Sequence, residues 1–138
     1  MKTALAAAAA CLALTAPGFA GDAKLGEKVF NKCKACHSII KEDGTAVVKG
    51  GKVGPNLYGV IGRQIGSYPD FAYGESIVAA GADGTLWDEA ELASYVADPT
   101  AWLKVKDASA AAKSKMSFKL ASGGEDVAAY LASLKPAE

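Results

Sequence analysis

The chain is poor in soft metal ligands. Its 138 residues include one histidine, three cysteines and two methionines. A single imidazole excludes any site that needs two. The histidine and the cysteines that survive the leader described below fall short of the four nitrogen or sulfur ligands that a protein-only zinc site takes. Net charge is lacking as well: 15 bases balance 15 acids, which weighs against nucleic acid as a partner. No apolar run reaches the roughly 20 residues needed to cross a bilayer. No stretch alternates convincingly in the manner of a strand, and no repeats or low-complexity segments follow the leader. What remains is the composition of one soluble, mainly helical domain.

Residues 1–20 read as a secretory signal peptide. Lys2 is the only charge before Asp22, the apolar run Ala4 to Leu14 follows, and Gly18 and Ala20 put small residues at the −3 and −1 positions of a cut after Ala20. Cys11 and Met1 leave with the leader, and the mature domain spans 21–138. An exported chain with Cys33 and Cys36 left suggests a disulfide first. That loop is so small that the bridge would be a strained redox group rather than a staple.

Asp22 to Lys34 has helical spacing, with Leu25, Val29, Phe30 and Cys33 on one side. Gly26, in its middle, suggests a close approach by another helix. Gly44 to Ser67 is glycine-rich and reads as loop. Asp88 and Glu91 form a capping pair for a helix to about Ala97 that buries Leu92, Tyr95 and Val96. Asp98-Pro99 is an N-cap with proline at the first helical position. Ser122 to Glu125 reads as a capping box, followed by the stripe Val127, Tyr130, Leu131 and Leu134. The expected fold is all-α, four to five short helices joined by long loops. Such loops in so short a chain call for something besides side chains to fill the interior.

"CKACH", Cys33 to His37, matches C-x-x-C-H, the attachment signature of c-type haem. Two thiols three residues apart add to the two vinyl groups of the porphyrin. The next residue then lies beneath the iron and offers an imidazole. A thioredoxin-like pair would need a βαβ context, which is missing. The sixth iron position has no second histidine to fill it. Met116 is the only methionine of the mature chain. Methionine is ordinarily core filler, yet "KSKMSFKL" is polar, a setting that suits a ligand better. Histidine–methionine ligation raises the reduction potential, and a filled sixth site disfavours oxygen and peroxide chemistry. Both properties suit an electron carrier.

The balanced charge hides an asymmetry. From Gln64 to Leu103 there are seven acids and no base; the rest of the mature chain holds 14 bases and eight acids. Lys24, Lys28, Lys32, Lys34, Lys49 and Lys52 lie around the haem motif, and Lys104, Lys106, Lys113, Lys115 and Lys119 flank Met116. Either these are solvated faces, or they form a positive ring around the haem edge that steers acidic partners through small, salt-sensitive contacts.

"FNKCKACH", "GPNLYGVIGR", "YVADP" and "KMSFKL", in that order, resemble class I cytochromes c, most closely the bacterial cytochrome c2 group and its cytochrome c550 lineage. The resemblance covers the chain from Gly21 onward. It implies one covalently bound haem c wrapped by the class I cytochrome c fold, with His37 and Met116 as axial ligands. It implies that the carbonyl of Pro55 accepts the Nδ1 proton of His37, and that Arg63, Tyr73 and Trp87 contact the haem propionates, although Tyr73 and Trp87 also suit an ordinary aromatic core. Tyr95 would pack near the methionine sulfur, Ser114 would supply a hydroxyl where the family often has threonine, and Phe118 would stand at the haem edge. Phe30, Gly26 and Tyr130 would join the first and last helices. The implied function is that of a monomeric, periplasmic carrier with no membrane anchor and no enzymatic activity. It would shuttle electrons from a cytochrome bc1-type complex to a photosynthetic reaction centre or terminal oxidase. Two stretches are longer than in the short mitochondrial pattern, His37 to Pro55 and Pro99 to Met116.

Overall fold

A computed structural model describes residues 21–136; the leader and its expected cut lie outside the described residues. The elements in chain order are α1 (Ala23–Val29), a 3-10 turn (Phe30–Lys32), β1 (Ile39–Ile40), β2 (Ala46–Val48), α2 (Glu75–Ala80), α3 (Glu89–Ala97), α4 (Pro99–Lys106) and α5 (Gly124–Ser133). No described helix is long and apolar enough to cross a membrane.

Helix α1 starts where Asp22 takes two orphan amides: its Oδ1 accepts the N–H of Lys24 at 2.8 Å and of Leu25 at 3.2 Å. The N–H of Asp22 in turn donates to Asp126 Oδ1 at 2.8 Å, at the start of α5. The two terminal helices cross at Gly26, where an added Cβ would stand 1.9 Å from the carbonyl oxygen of Asp126 and 2.8 Å from Tyr130 Cβ. Only glycine lets the backbones meet there, as its place mid-helix suggested. Phe30 and Tyr130 close the joint, ring centroids 5.9 Å apart. Leu25 does not share in this contact and is exposed. The inward face of so short a helix is set by Gly26 and Phe30, one turn apart.

Asp88 and Asp98 cap as their sequence contexts require, accepting the amides of Glu91 at 2.7 Å and Ala101 at 3.0 Å. The Glu91 carboxylate takes a different partner from the one a capping box needs: it accepts the indole N–H of Trp102 at 2.9 Å and the ammonium of Lys106. The box expected at Ser122 does not form. Helix α5 begins at Gly124, and its N-cap is Gly123, at φ +84° and with no side chain to cap. A Cβ on Gly123 would stand 3.1 Å from Val29 Cγ2, and the chain turns into the helix through a left-handed residue that serine would strain to adopt.

The five α-helices among the described residues match the expected number; one element, a small sheet, departs from helices and loops alone. Ile39 pairs with Val48 and Ile40 with Ala46 in a small antiparallel hairpin. With two residues on one side, the period of a strand has no room to show. Helix α2 is six residues long and has no side-chain cap. The core joins Phe30 of the 3-10 turn and residues of α3, α4 and α5 to Ile39 of β1 and to Val60, Ile65, Trp87 and Leu120 from the loops.

Candidate functional site

The residues from Cys33 to His37 form a tight turn: the N–H groups of Cys36 and His37 donate to the carbonyl of Cys33 at 3.1 and 3.0 Å. The 50–55 loop is laid directly over this turn. Gly51 N–H donates to the carbonyl of Lys34 at 2.9 Å, and Gly54 N–H to that of Cys36 at 2.8 Å. Ser38, buried, gives its hydroxyl to the carbonyl of Gly51 at 3.0 Å. The glycines permit this contact. A Cβ on Gly50 would meet the carbonyl oxygen of His37 at 1.9 Å, and one on Gly54 would meet His37 Cε1 at 2.2 Å.

His37 is therefore held face-on against the Gly54 backbone. Its Nδ1 lies 2.8 Å from the carbonyl oxygen of Pro55. A carbonyl only accepts, so Nδ1 carries the proton and Nε2 keeps its lone pair, the tautomer a metal ligand needs. Burial pushes the imidazole pKa below its ordinary value, with the Pro55 contact opposing in part, so the ring is held neutral. Asn56 fixes this segment to β1, donating to the carbonyl of Ile40 at 2.7 Å and accepting its N–H at 2.9 Å. Cys33, half-buried, and Cys36, exposed, are not joined by the disulfide that their export first suggested. Burial, then the neighbouring Cys36, raise the Cys33 pKa, and Lys32 opposes them.

Met116 is half-buried and packs against the core although its neighbours are polar. Its N–H donates to Ser114 Oγ at 3.1 Å, and the Tyr95 hydroxyl lies 3.4 Å from that same oxygen. Tyr95, whose pKa burial raises, belongs to an aromatic trio. Its ring lies 5.2 Å from Trp87 and 5.5 Å from Trp102, and the two indoles stack at 5.3 Å. Phe118 is 41% exposed, so its ring faces outward two residues beyond Met116.

Arg63, Tyr73 and Trp87 are brought into one region. The backbone N–H of Trp87 donates to the carbonyl of Arg63 at 2.8 Å. The Arg63 guanidinium lies 4.7 Å from the centroid of the Tyr68 ring and donates to the carbonyls of Asn56, at 3.0 Å, and Tyr58. Those bonds engage two of its five N–H groups. Burial depresses its pKa, opposed by Tyr73 and Tyr68. The Tyr73 hydroxyl accepts the N–H of Tyr68 at 3.2 Å and retains its own proton to donate.

The lysines near Met116 are less free than the sequence suggests. Lys106 pairs with Glu91, Lys115 donates to the carbonyl of Ala72 at 2.9 Å, and Lys119 pairs with Asp98 at 2.7 Å. Sequence reasoning passed over Gly54, Asn56, Trp102 and Ser76, all of which shape this region. For Gly54 and Asn56, the glycine–proline–asparagine string held the only signal.

The donor set suits a porphyrin iron: a neutral imidazole with Nε2 unprotonated, a thioether on the rim of the core, and two cysteines, one a turn before the imidazole and one next to it. No protein-family model matches the chain. It is 63% identical over 135 residues to cytochrome c2 of Rhodobacter capsulatus, covering 97% of this chain and 98% of that one. The solved structure of cytochrome c2 from that organism superposes with TM-score 0.81 at 65% identity, over 82% of this chain and 97% of that one. Ferric cytochrome c-550 from Paracoccus versutus superposes at TM-score 0.82 and 52% identity, over 85% of this chain and all of that one. The chain belongs to the class I cytochromes c, of the bacterial cytochrome c2 type. As a class I cytochrome c it is an electron carrier rather than an enzyme, and it has one covalently bound haem c, for which Cys33 and Cys36 have the attachment spacing. The helices and the long loops between them are those of the class I cytochrome c fold.

Proposed function

We propose that the mature chain, from Gly21, is a monomeric periplasmic carrier. It accepts electrons from a cytochrome bc1-type complex and delivers them to a photosynthetic reaction centre or terminal oxidase. Haem, when bound, supplies a one-electron couple between ferric and ferrous iron. Cys33 and Cys36 would hold the ring through thioethers, and His37 Nε2 and the Met116 sulfur would be the iron's two protein ligands. Arg63, Tyr73 and Trp87 bind the propionates, Tyr95 and Ser114 order the methionine loop, and Phe118 covers the ring edge. The observation that carries this reading is the bond of 2.8 Å between His37 Nδ1 and the Pro55 carbonyl, which leaves Nε2 as a fixed, neutral donor.

Two competing roles make different demands. A peroxidase or a gas sensor needs an open iron position, and a carrier needs a closed one. Replacing Met116→Ala is expected to abolish the methionine–iron absorption band and to admit carbon monoxide to the reduced protein. An unchanged spectrum refutes the assignment, and rapid carbon monoxide binding by the unaltered protein favours a gas-binding role.

A further inference from the structure

The segment that carries Met116 has no helix or strand of its own between α4 and α5. It is held instead at spaced points. Upstream of Met116, the N–H of Lys113 donates to Ser76 Oγ at 3.0 Å, and the Lys115 ammonium to the carbonyl of Ala72 at 2.9 Å. Downstream, the N–H of Leu120 donates to the carbonyl of Val96 at 2.8 Å, and the Lys119 ammonium meets Asp98 Oδ2 at 2.7 Å.

Asp98 differs from the other anchors because its carboxylate has two tasks. Its Oδ1 accepts the N–H of Ala101 at 3.0 Å and caps α4, while its own backbone is extended, at φ −155° and ψ 91°, which ends α3. The cap fixes the direction of Oδ2, so the ammonium of Lys119, three residues beyond Met116, has a stationary charge to bind. The corner between α3 and α4 is thereby tied to the methionine loop by one ion pair. Loss of that tie leaves the downstream side on the hydrogen bond of Leu120 and the burial of its side chain, which lie one residue further from Met116.

We infer that the Asp98–Lys119 pair is a positioning clamp for the Met116 thioether, one that sets how readily this ligand yields its place to another; the inference rests on Met116 being an axial ligand. The pair is partly exposed, at 60% for the lysine side chain and 38% for the aspartate, so salt screens it and its effect is a matter of a few-fold.

The test titrates the oxidised holoprotein with imidazole, a neutral ligand, and follows loss of the methionine–iron band. Asp98→Asn keeps an oxygen for the Ala101 amide but loses the charge. Lys119→Met keeps the stem without the ammonium. Each is expected to tighten imidazole binding about two- to five-fold. The double variant should do no more than either single one, and Lys119→Arg should behave as the unaltered protein. Raised salt should bring the unaltered protein toward the variants and leave the variants where they are. Unmoved affinities in the single variants, or a double variant equal to the product of the singles, overturn the clamp while leaving the methionine ligand in place. If the unaltered protein has no methionine–iron band, the ligand assignment itself fails and the clamp with it.

Discussion

Replacing Gly54→Ala tests the link between a glycine and the iron. The added Cβ would stand 2.2 Å from His37 Cε1, 2.6 Å from Nδ1 and 2.7 Å from Nε2, all inside contact distance. The ring has to tilt or the 50–55 loop has to lift, and either movement stretches the bond to Pro55. Overpacking of this kind costs about 1–3 kcal/mol, and a lost hydrogen bond about 0.5–1.5 kcal/mol. Alanine recovers about 0.4–1 kcal/mol by restricting the unfolded chain. The balance is a net loss of about 0.5–4 kcal/mol. It is read from urea unfolding of the holoprotein, with the midpoint moving and the slope unchanged. A second readout is specific to the ligand. The carbonyl partner makes the imidazole more basic, so weakening that bond favours ferrous iron and raises the reduction potential. Gly44→Ala is the control: nothing lies within 4 Å of it, but its φ of +85° strains alanine. It should lose about 1 kcal/mol of stability and leave the potential alone. A Gly54→Ala protein as stable as its parent, with the same potential, would refute the reasoning.

If the lysines of 24–34, 49–52 and 104–119 other than Lys106 and Lys119, which Glu91 and Asp98 engage, steer an acidic redox partner, electron transfer to it should slow as ionic strength rises; stopped-flow rates that ignore salt remove the case for steering. The fold holds the Asp98 carboxyl below the usual carboxylate range, first through its bond from Lys119 and then through that from Ala101. Its ionised form therefore adds stability above the ordinary aspartate pKa near 3.9, and that share is lost as pH falls through the folded-state value. Thermal midpoints of the unaltered protein and of Asp98→Asn should accordingly differ at neutral pH and converge in acid; a gap that persists at the lowest pH contradicts this.

What could be read from residues alone was whatever rests on scarcity or on neighbours in sequence. One histidine beside two cysteines admits few interpretations, and Asp22, Asp88 and Asp98 lie next to the amides that they cap. The misreadings share a different cause. Ser122 had the right partner at the right distance, but the left-handed backbone of Gly123, at φ +84°, takes the cap position where α5 begins. Glu91 was drawn from its own helix start by Trp102 and Lys106, 11 and 15 residues away. Gly54 against His37, Asn56 bridging to Ile40, and Ser76 holding Lys113 are contacts across long stretches of chain, and no local pattern announces them. The two residues of β1 and the six of α2 span fewer than two full periods of strand or helix, too little for a repeat to show.

The bond from the Asp22 amide to the Asp126 carboxylate spans 104 positions. While the ribosome is still making the chain, α1 has nothing to lie on until α5 has emerged, and the turn with the two thiols hangs from an unsupported stub. Closing so large a loop comes late in folding. The joint that steadies the cysteine turn is therefore among the last of the described contacts that the emerging chain can make.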